Sequence, residues 1–472
     1  MDIMDYFKKI ASIPRGSTKE KAVSDYIVSF ALAHHYNYVQ DELGNVVIYA
    51  PATSGYEDHE TVMLQGHLDI VCEKNNDVDF NFDTQGLNLY EEDGYLKAKG
   101  TTLGADDGYA IAYMLSILDH DLPHPALECT FTVQEEIGLV GAKNLKKEYF
   151  KATRMINMDS GGEEIVTVSC SGGRRNRAEK TLKQTTVNLN TYTLMITGLK
   201  GGHSGGNINK ERANAIKLAF KLIKEIAKDA EIYLIEVNGG LKENAIPREC
   251  IITFSSDASV KYIDSIIIDA MEGIKTIYEF SDANIRYELR QIARRGKEFV
   301  ACTLEDSMQV IDFISLYPYG VRHNSMSIPN LVIASDNIGV MRLKDGKCIV
   351  NSSIRSPIEC CRDEISDEIE LLGKMFGFTT ANLNDYPGWN YEADSKLRKI
   401  YSDVLKEKLG KELKERATHG GLEAGVIKGM LPDLDIITLG PIATGEHTPE
   451  EMMNIASFYK MYDVLVYLLS KL

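Results

Sequence analysis

Five short segments of this 472-residue chain place His, Asp or Glu at the end of an apolar run or inside a glycine-bounded turn. The first is Gly66-His67-Leu68-Asp69, which follows the run MLQ. Extended residues at i and i+2 share a face, so His67 and Asp69 point the same way. An imidazole that ligates metal needs a partner on its other ring nitrogen, and Asp69 is spaced to be one. The second is Thr101-Thr102-Leu103-Gly104-Ala105-Asp106-Asp107-Gly108. One Asp suffices to cap the apolar helix that follows, so the adjacent pair has a carboxylate to spare. A carboxylate with two free oxygens can bridge two cations, and Asp106 is the candidate. The third is Glu135-Glu136, after FTVQ. Neighbouring residues project differently, which allows one to ligate metal and the other to act as a base. Asp159, in Asn157-Met158-Asp159-Ser160, and His447, after DIITLG and the turn Gly440–Gly445, complete the set.

Taken singly, each segment reads equally well as a surface pair, a helix cap or a turn. Recurrence carries the inference, because several buried like charges are costly without cations. Two imidazoles with three carboxylates form the ligand mix of a two-zinc site, with ions roughly 3.5–4 Å apart around a shared water. An all-oxygen set would point to Mg²⁺ or Ca²⁺.

The elements that must position these groups follow from periodicity. Helices are expected at 3–12 and 19–35, broken at Pro14 and Gly16, with an apolar helix at 108–119 and another at 138–146. Runs at 46–50, 61–66, 127–134 and 154–158 have strand length. Strands alternating with helices imply an α/β layer with a largely parallel sheet, and its chemistry belongs at the strand ends. From about 188 the pattern becomes α+β, in two successive units of ferredoxin-like type that end near 388. A last α/β segment carries strand 435–440 and helix 450–470. The expected organisation is therefore a discontinuous domain, 1–187 with 389–472, and an inserted domain, 188–388.

Composition narrows the class. Lys plus Arg is 52 against 69 Asp plus Glu, a formal net charge of −17, which argues against nucleic acid as a partner. No run approaches the roughly 18 apolar residues of a membrane helix. The amphipathic start MDIMDYFKKIASIPRGS predicts no secretory signal. Eight scattered cysteines without a CxxC pair read as reduced thiols, so a cytoplasmic location is expected.

GHLD, TTLGADDG, VQEEIGLVGA, NMDS, KGGHSGG and HGGLEAG, in this order, resemble the aminoacylase and carboxypeptidase-like family of dinuclear zinc peptidases, in its aminoacyl-histidine (Xaa-His) dipeptidase branch. The resemblance spans essentially the whole chain. It implies a zinc-peptidase-like mixed sheet flanked by helices, with the inserted α+β domain serving as a lid and as a homodimer surface. It implies that Asp106 bridges two divalent ions, zinc foremost with Mn²⁺ or Co²⁺ also fitting. His67 and Asp159 would complete one ion's ligands, Glu136 and His447 the other's. Glu135 would be the general base, acting on a metal-bridging hydroxide, and Asp69 would orient His67. His203, in GGHSGG, would stabilise the oxyanion. Asn351 and Arg355 would anchor the substrate carboxylate, and His419 and Glu423 would line the substrate end. Surface readings stay open for two of these: a loop imidazole for His203 and an acidic surface partner for Arg355.

The expected activity is hydrolysis of dipeptides, Xaa-His or broader. A tripeptidase or acyl-amino-acid deacylase of the same fold is the alternative. A scaffold that has lost catalysis would be expected to have lost a ligand or the base, and here all are present.

Overall fold

In the computed structural model, which describes residues 1–472, the chain forms two compact units. The first comprises 1–170, 388–417 and 422–472; the second comprises 171–387 and 418–421.

The first unit is built on an eight-stranded sheet. Four neighbouring strands at its centre run parallel: Leu127–Thr132, Val62–His67, Arg154–Asn157 and Asp435–Thr438. VMLQGH and LECTFT are buried at every position, as expected for parallel strands covered on both faces. The helix Ala105–Asp119 is buried from Asp107 to Leu118, which is why its sequence is apolar all round. It closes onto the sheet at Gly66, where a Cβ would lie 2.5 Å from Ala110 Cβ. A side chain at 66 would push the helix away from the strand that carries His67.

Two helices are shorter than expected. The reading 138–146 contracts to Val140–Asn144, behind Gly138 at φ 122°. The last helix starts at Ile455, because Met452–Asn454 pairs with Tyr95–Lys97 as a strand and Asn454 then caps the helix.

The second unit holds nine strands in one sheet. Its first half runs strand Asn190–Thr197, helix Ala215–Ile226, strands Tyr233–Gly239 and Cys250–Ser256, helix Val260–Ile277, strand Arg286–Ala293. In space these strands lie fourth, first, third, second, the ferredoxin-like order. The other half repeats that order with strands Gly172–Thr181, Val332–Lys344, Lys347–Ser356 and Thr379–Tyr386, and helices Leu304–Leu316 and Glu359–Phe376. The halves join where Val237–Gly239 pairs with Met341–Leu343. One half is inserted into the other, after its first strand, so they are not simply successive.

That first strand moves the boundary from the expected 188 to 171. Gly172–Thr181 pairs with Lys347–Ser356 on one side and Thr379–Tyr386 on the other. Its sequence, GGRRNRAEKT, has no strand signature. Burial is tolerated because the polar groups find partners: Arg174 reaches Asp385 at 2.6 Å and Asp363 at 2.7 Å, and Asn176 donates to Asn382 at 2.9 Å.

All eight cysteines are free thiols. No helix is long and apolar enough to cross a membrane.

Candidate active site

The sheet of the first unit delivers its chemistry at the carboxyl ends of the parallel strands, as such sheets do. His67 is the last residue of Val62–His67; Glu135 and Glu136 follow Leu127–Thr132; Asp159 follows Arg154–Asn157; His447 follows Asp435–Thr438 after a longer turn. Asp106 enters from the first turn of the buried helix.

Asp106 is the centre of the cluster. Its Oδ1 lies 2.9 Å from His67 Nε2 and its Oδ2 lies 3.2 Å from His447 Nε2. His447 Nε2 is also 3.0 Å from Glu136 Oε1. Donor atoms of His67, Asp106 and Glu136 all fall within 4.8 Å of one another, close enough for a metal centre. Asp159 is half-buried in the field of Asp106, Glu423 and Glu136.

Electrostatics say what the cluster lacks. Burial pushes Glu135 and Asp159 well above the ordinary carboxylate range, with Asp159 and Glu136 adding to it at Glu135 and Asp106 adding to it at Asp159. Burial opposes a charge on His67, yet hydrogen bonds to Asp106 and Asp69 raise it well above the ordinary imidazole value. His447 is raised to about 11 by Asp106 and Glu136. Burial works against ionisation of Asp106, but His447 and His67 hold it far below the usual range. The raised imidazoles and the lowered Asp106 mark a cluster in which positive charge is favoured. The mixed imidazole and carboxylate donors, and an Asp whose two oxygens address two different imidazoles, fit a pair of divalent ions.

Asp69 fixes the geometry around them. It is fully buried and accepts from Glu135 N at 2.9 Å, Glu136 N at 3.2 Å and Ser17 Oγ at 2.8 Å. His67 Nδ1 lies 3.1 Å from the Asp69 carbonyl oxygen and 3.5 Å from its carboxylate. One side chain therefore orients an imidazole and the backbone of both glutamates. Ser17 escaped the sequence reading, since a serine in a loop carries no signal of its own.

Glu423 bonds to the strands that carry these groups. Expected to line the substrate end, it is fully buried, and its Oε2 accepts from Gln65 at 2.6 Å and Thr132 at 2.5 Å. With no accessible surface it buttresses the two strands that carry His67 and Glu135, and burial raises it to about 7.

In the second unit His203, Ser204, Ser335, Arg355 and His419 form a cluster of their own. His203 Nδ1 accepts from Gly205 N at 3.2 Å and Gly206 N at 3.3 Å. That leaves the proton of the neutral ring on Nε2, 3.4 Å from Arg355 Nη2. Burial and the Arg355 charge lower His203 to about 4, so it stays neutral at pH 7. Arg355 is held by its Nε on Ser204 Oγ at 3.1 Å. His419 Nε2 pairs with Ser335 Oγ at 2.7 Å, and burial lowers it to about 3. A neutral N–H donor beside a guanidinium is an anion-recognising pair. Asn351 does not join it. It lies on the Arg355 face of Lys347–Ser356 but four residues away, opposite Arg177 where Arg355 faces Gly173. That spacing is about 13 Å along the strand.

The chain is similar to several known peptidases. The cytosol non-specific dipeptidase of Escherichia coli (strain K12) is 33% identical over 474 residues, covering 100% of this chain and 97% of that one. The crystal structure of aminoacylhistidine dipeptidase from Vibrio alginolyticus superposes with a TM-score of 0.91 at 31% identity, covering 100% of this chain and 96% of that one. A tripeptidase from Staphylococcus aureus shares the fold alone, with a TM-score of 0.56 at 16% identity over 99% and 97% of the two chains. Residues 63–471 match the model for Peptidase family M20/M25/M40, and the chain is a member of that family of hydrolases.

Proposed function

We propose that this protein is a dipeptidase that works with two divalent metal ions. Asp106 would be shared by both ions, with His67 and Asp159 completing one set and Glu136 and His447 the other. One observation carries this: the two oxygens of Asp106 face two separate imidazoles, at 2.9 and 3.2 Å. Zinc heads the candidates, with Mn²⁺ and Co²⁺ behind it. Two such ions, when bound, would supply Lewis acidity toward a carbonyl and bring the pKa of water toward neutrality.

The side chains would divide the remaining work. Glu135 takes a proton from the attacking water and returns it to the leaving amine nitrogen. Its backbone is pinned by Asp69 at 2.9 Å, which keeps the carboxylate in register with the ligands on either side. Asp69 also holds the His67 ring so that Nε2 faces Asp106. Within the second unit, His203 would offer an N–H donor to an anionic oxygen. Arg355 offers a guanidinium for the substrate carboxylate, and His419 shapes the wall beside it through Ser335. A small peptide with a free carboxylate suits that pair.

Dipeptides are favoured over the alternatives by the two relatives that match over the full chain, both of which are dipeptidases by name. A cytoplasmic location draws on the name of the Escherichia coli relative and on eight free thiols. The reading extends to a homodimer that uses the second unit, which sedimentation at several concentrations would test. The deciding experiment is a substrate panel. Metal-reconstituted protein should cleave free dipeptides, Xaa-His among them, well ahead of tripeptides and N-acetyl amino acids. Preference for either of the latter would replace the dipeptidase reading.

A further inference from the structure

Arg15, at 1% exposure, and Glu451, at 3%, are among the buried charged residues of the first unit that hold no ligand or base role. Arg15 stands in the Pro14–Gly16 break. Its Nη1 donates to Leu68 O at 2.9 Å and to Asp69 O at 3.4 Å, and its Nη2 donates to Gly104 O at 2.6 Å. Leu68 follows His67, and Gly104 lies two residues before Asp106. One planar fork therefore joins the segment that carries His67 to the loop that carries Asp106.

Glu451 lies four residues after His447. Its Oε2 accepts from Leu103 N at 2.8 Å and Gly104 N at 2.9 Å, and its Oε1 accepts from Ala105 N at 2.8 Å and Asp106 N at 3.3 Å. The helix Ala105–Asp119 starts after Gly104, which has no side chain with which to cap it. Glu451 supplies that cap from a distant part of the chain, and so ties the His447 segment to the same loop.

The glycines of TTLGADDG acquire a reason. A Cβ at Gly104 or at Gly108 would lie 2.8 Å from Arg15 Nη2, and Gly104 also adopts φ 65°. The guanidinium threads the loop at the two positions that leave room for it. Burial lowers the Arg15 guanidinium to about 10, and the carboxylates of Glu451, Asp69, Asp107 and Asp106 work against that loss of charge.

We propose that Arg15 and Glu451 are positioning residues for the metal centre, setting the Asp106 loop against His67 on one side and His447 on the other. The inference rests on the reading of Asp106 as the shared metal ligand. It predicts that either residue governs how tightly metal is held, because each acts on the distance between the bridging carboxylate and an imidazole.

The test measures Zn²⁺ affinity of the metal-free full chain by competition with a chromophoric chelator, together with KM for a dipeptide. Arg15→Met, Arg15→Lys and Glu451→Gln are compared with wild type, with Asp106→Asn as the reference. Removing a group that orients a ligand costs roughly 10–100-fold in metal affinity. That loss is expected for Arg15→Met and Glu451→Gln, with partial recovery in Arg15→Lys, and with KM within threefold because neither side chain touches substrate. Folded Arg15→Met and Glu451→Gln that bind Zn²⁺ within threefold of wild type, while Asp106→Asn loses tight binding, would overturn this proposal alone. Unchanged binding by Asp106→Asn would sink the metal-centre reading, and this proposal with it. If all three variants fail to fold even with Zn²⁺ present, the pair serves the fold and the proposal is wrong.

Discussion

Asp69→Asn isolates the support of the site from its ligands. The substitution keeps size and shape but removes the charge and turns one acceptor into a donor. In the structure Oδ1 accepts from Glu135 N, and Oδ2 accepts from Glu136 N and Ser17 Oγ. An Asn retains one oxygen, placed best on Glu135. Its amide then faces the Glu136 N–H, which is left buried and unpaired at a cost of about 1–3 kcal/mol. The Ser17 hydroxyl rotates to accept and loses little. The remaining bond to Glu135 drops from charged to neutral strength, about another 1 kcal/mol. The sum is about 3 kcal/mol of stability, read by urea denaturation of the metal-free chain. With the His67 ring less firmly held, Zn²⁺ affinity should fall roughly 10–100-fold. A loss below about 0.5 kcal/mol together with affinity within threefold of wild type would refute the reasoning, because it would mean the buried acceptor is doing nothing for either neighbour.

Glu135→Ala should lower kcat by roughly 10²–10⁴-fold while Zn²⁺ affinity stays within a few-fold, and near-normal turnover would remove Glu135 from the proton-transfer role. Arg355→Lys loses the fork that spans Ser204 and the His203 edge, so KM for dipeptides should rise about tenfold with a smaller change in kcat. Asp336, fully buried in the second unit, is raised from 3.8 to about 7 by burial. The folded chain therefore keeps a proton that the unfolded chain has lost, and this contribution to stability disappears as pH rises from about 4 to about 7. Asp336→Asn should be flatter than wild type across that window by an amount of order 2–4 kcal/mol, measured by denaturation at pH 5 and pH 8. Parallel curves for the two proteins would assign the proton elsewhere.

The parallel centre of the first unit was readable because its strands are continuous apolar runs, and the residues that end them carry the chemistry. His67, Asp106, Glu136 and His447 come together as their spacing after those runs implies. What escaped has a shared physical cause. Gly172–Thr181 is charged and polar, and becomes a strand only because Asp363, Asp385 and Asn382, far along the chain, satisfy its side chains. Losing it displaced the domain boundary. Arg15 and Glu451 act through backbone atoms of distant segments and Ser17 through the distant Asp69 carboxylate, and no local pattern marks such bonds. Glu423 sat in a legible motif, but HGGLEAG does not say whether its carboxylate faces substrate or the interior. Asn351 and Arg355 share a strand face, but strand periodicity does not say that Arg355 reaches Ser204 and His203.

The most direct test of the central claim is a titration of the metal-free chain with Zn²⁺ while hydrolysis of a free dipeptide is followed. Two ions sharing Asp106 predict no activity without metal and a rate that saturates at two equivalents per chain. Saturation at one equivalent, or turnover that persists in the presence of a strong chelator, would contradict it.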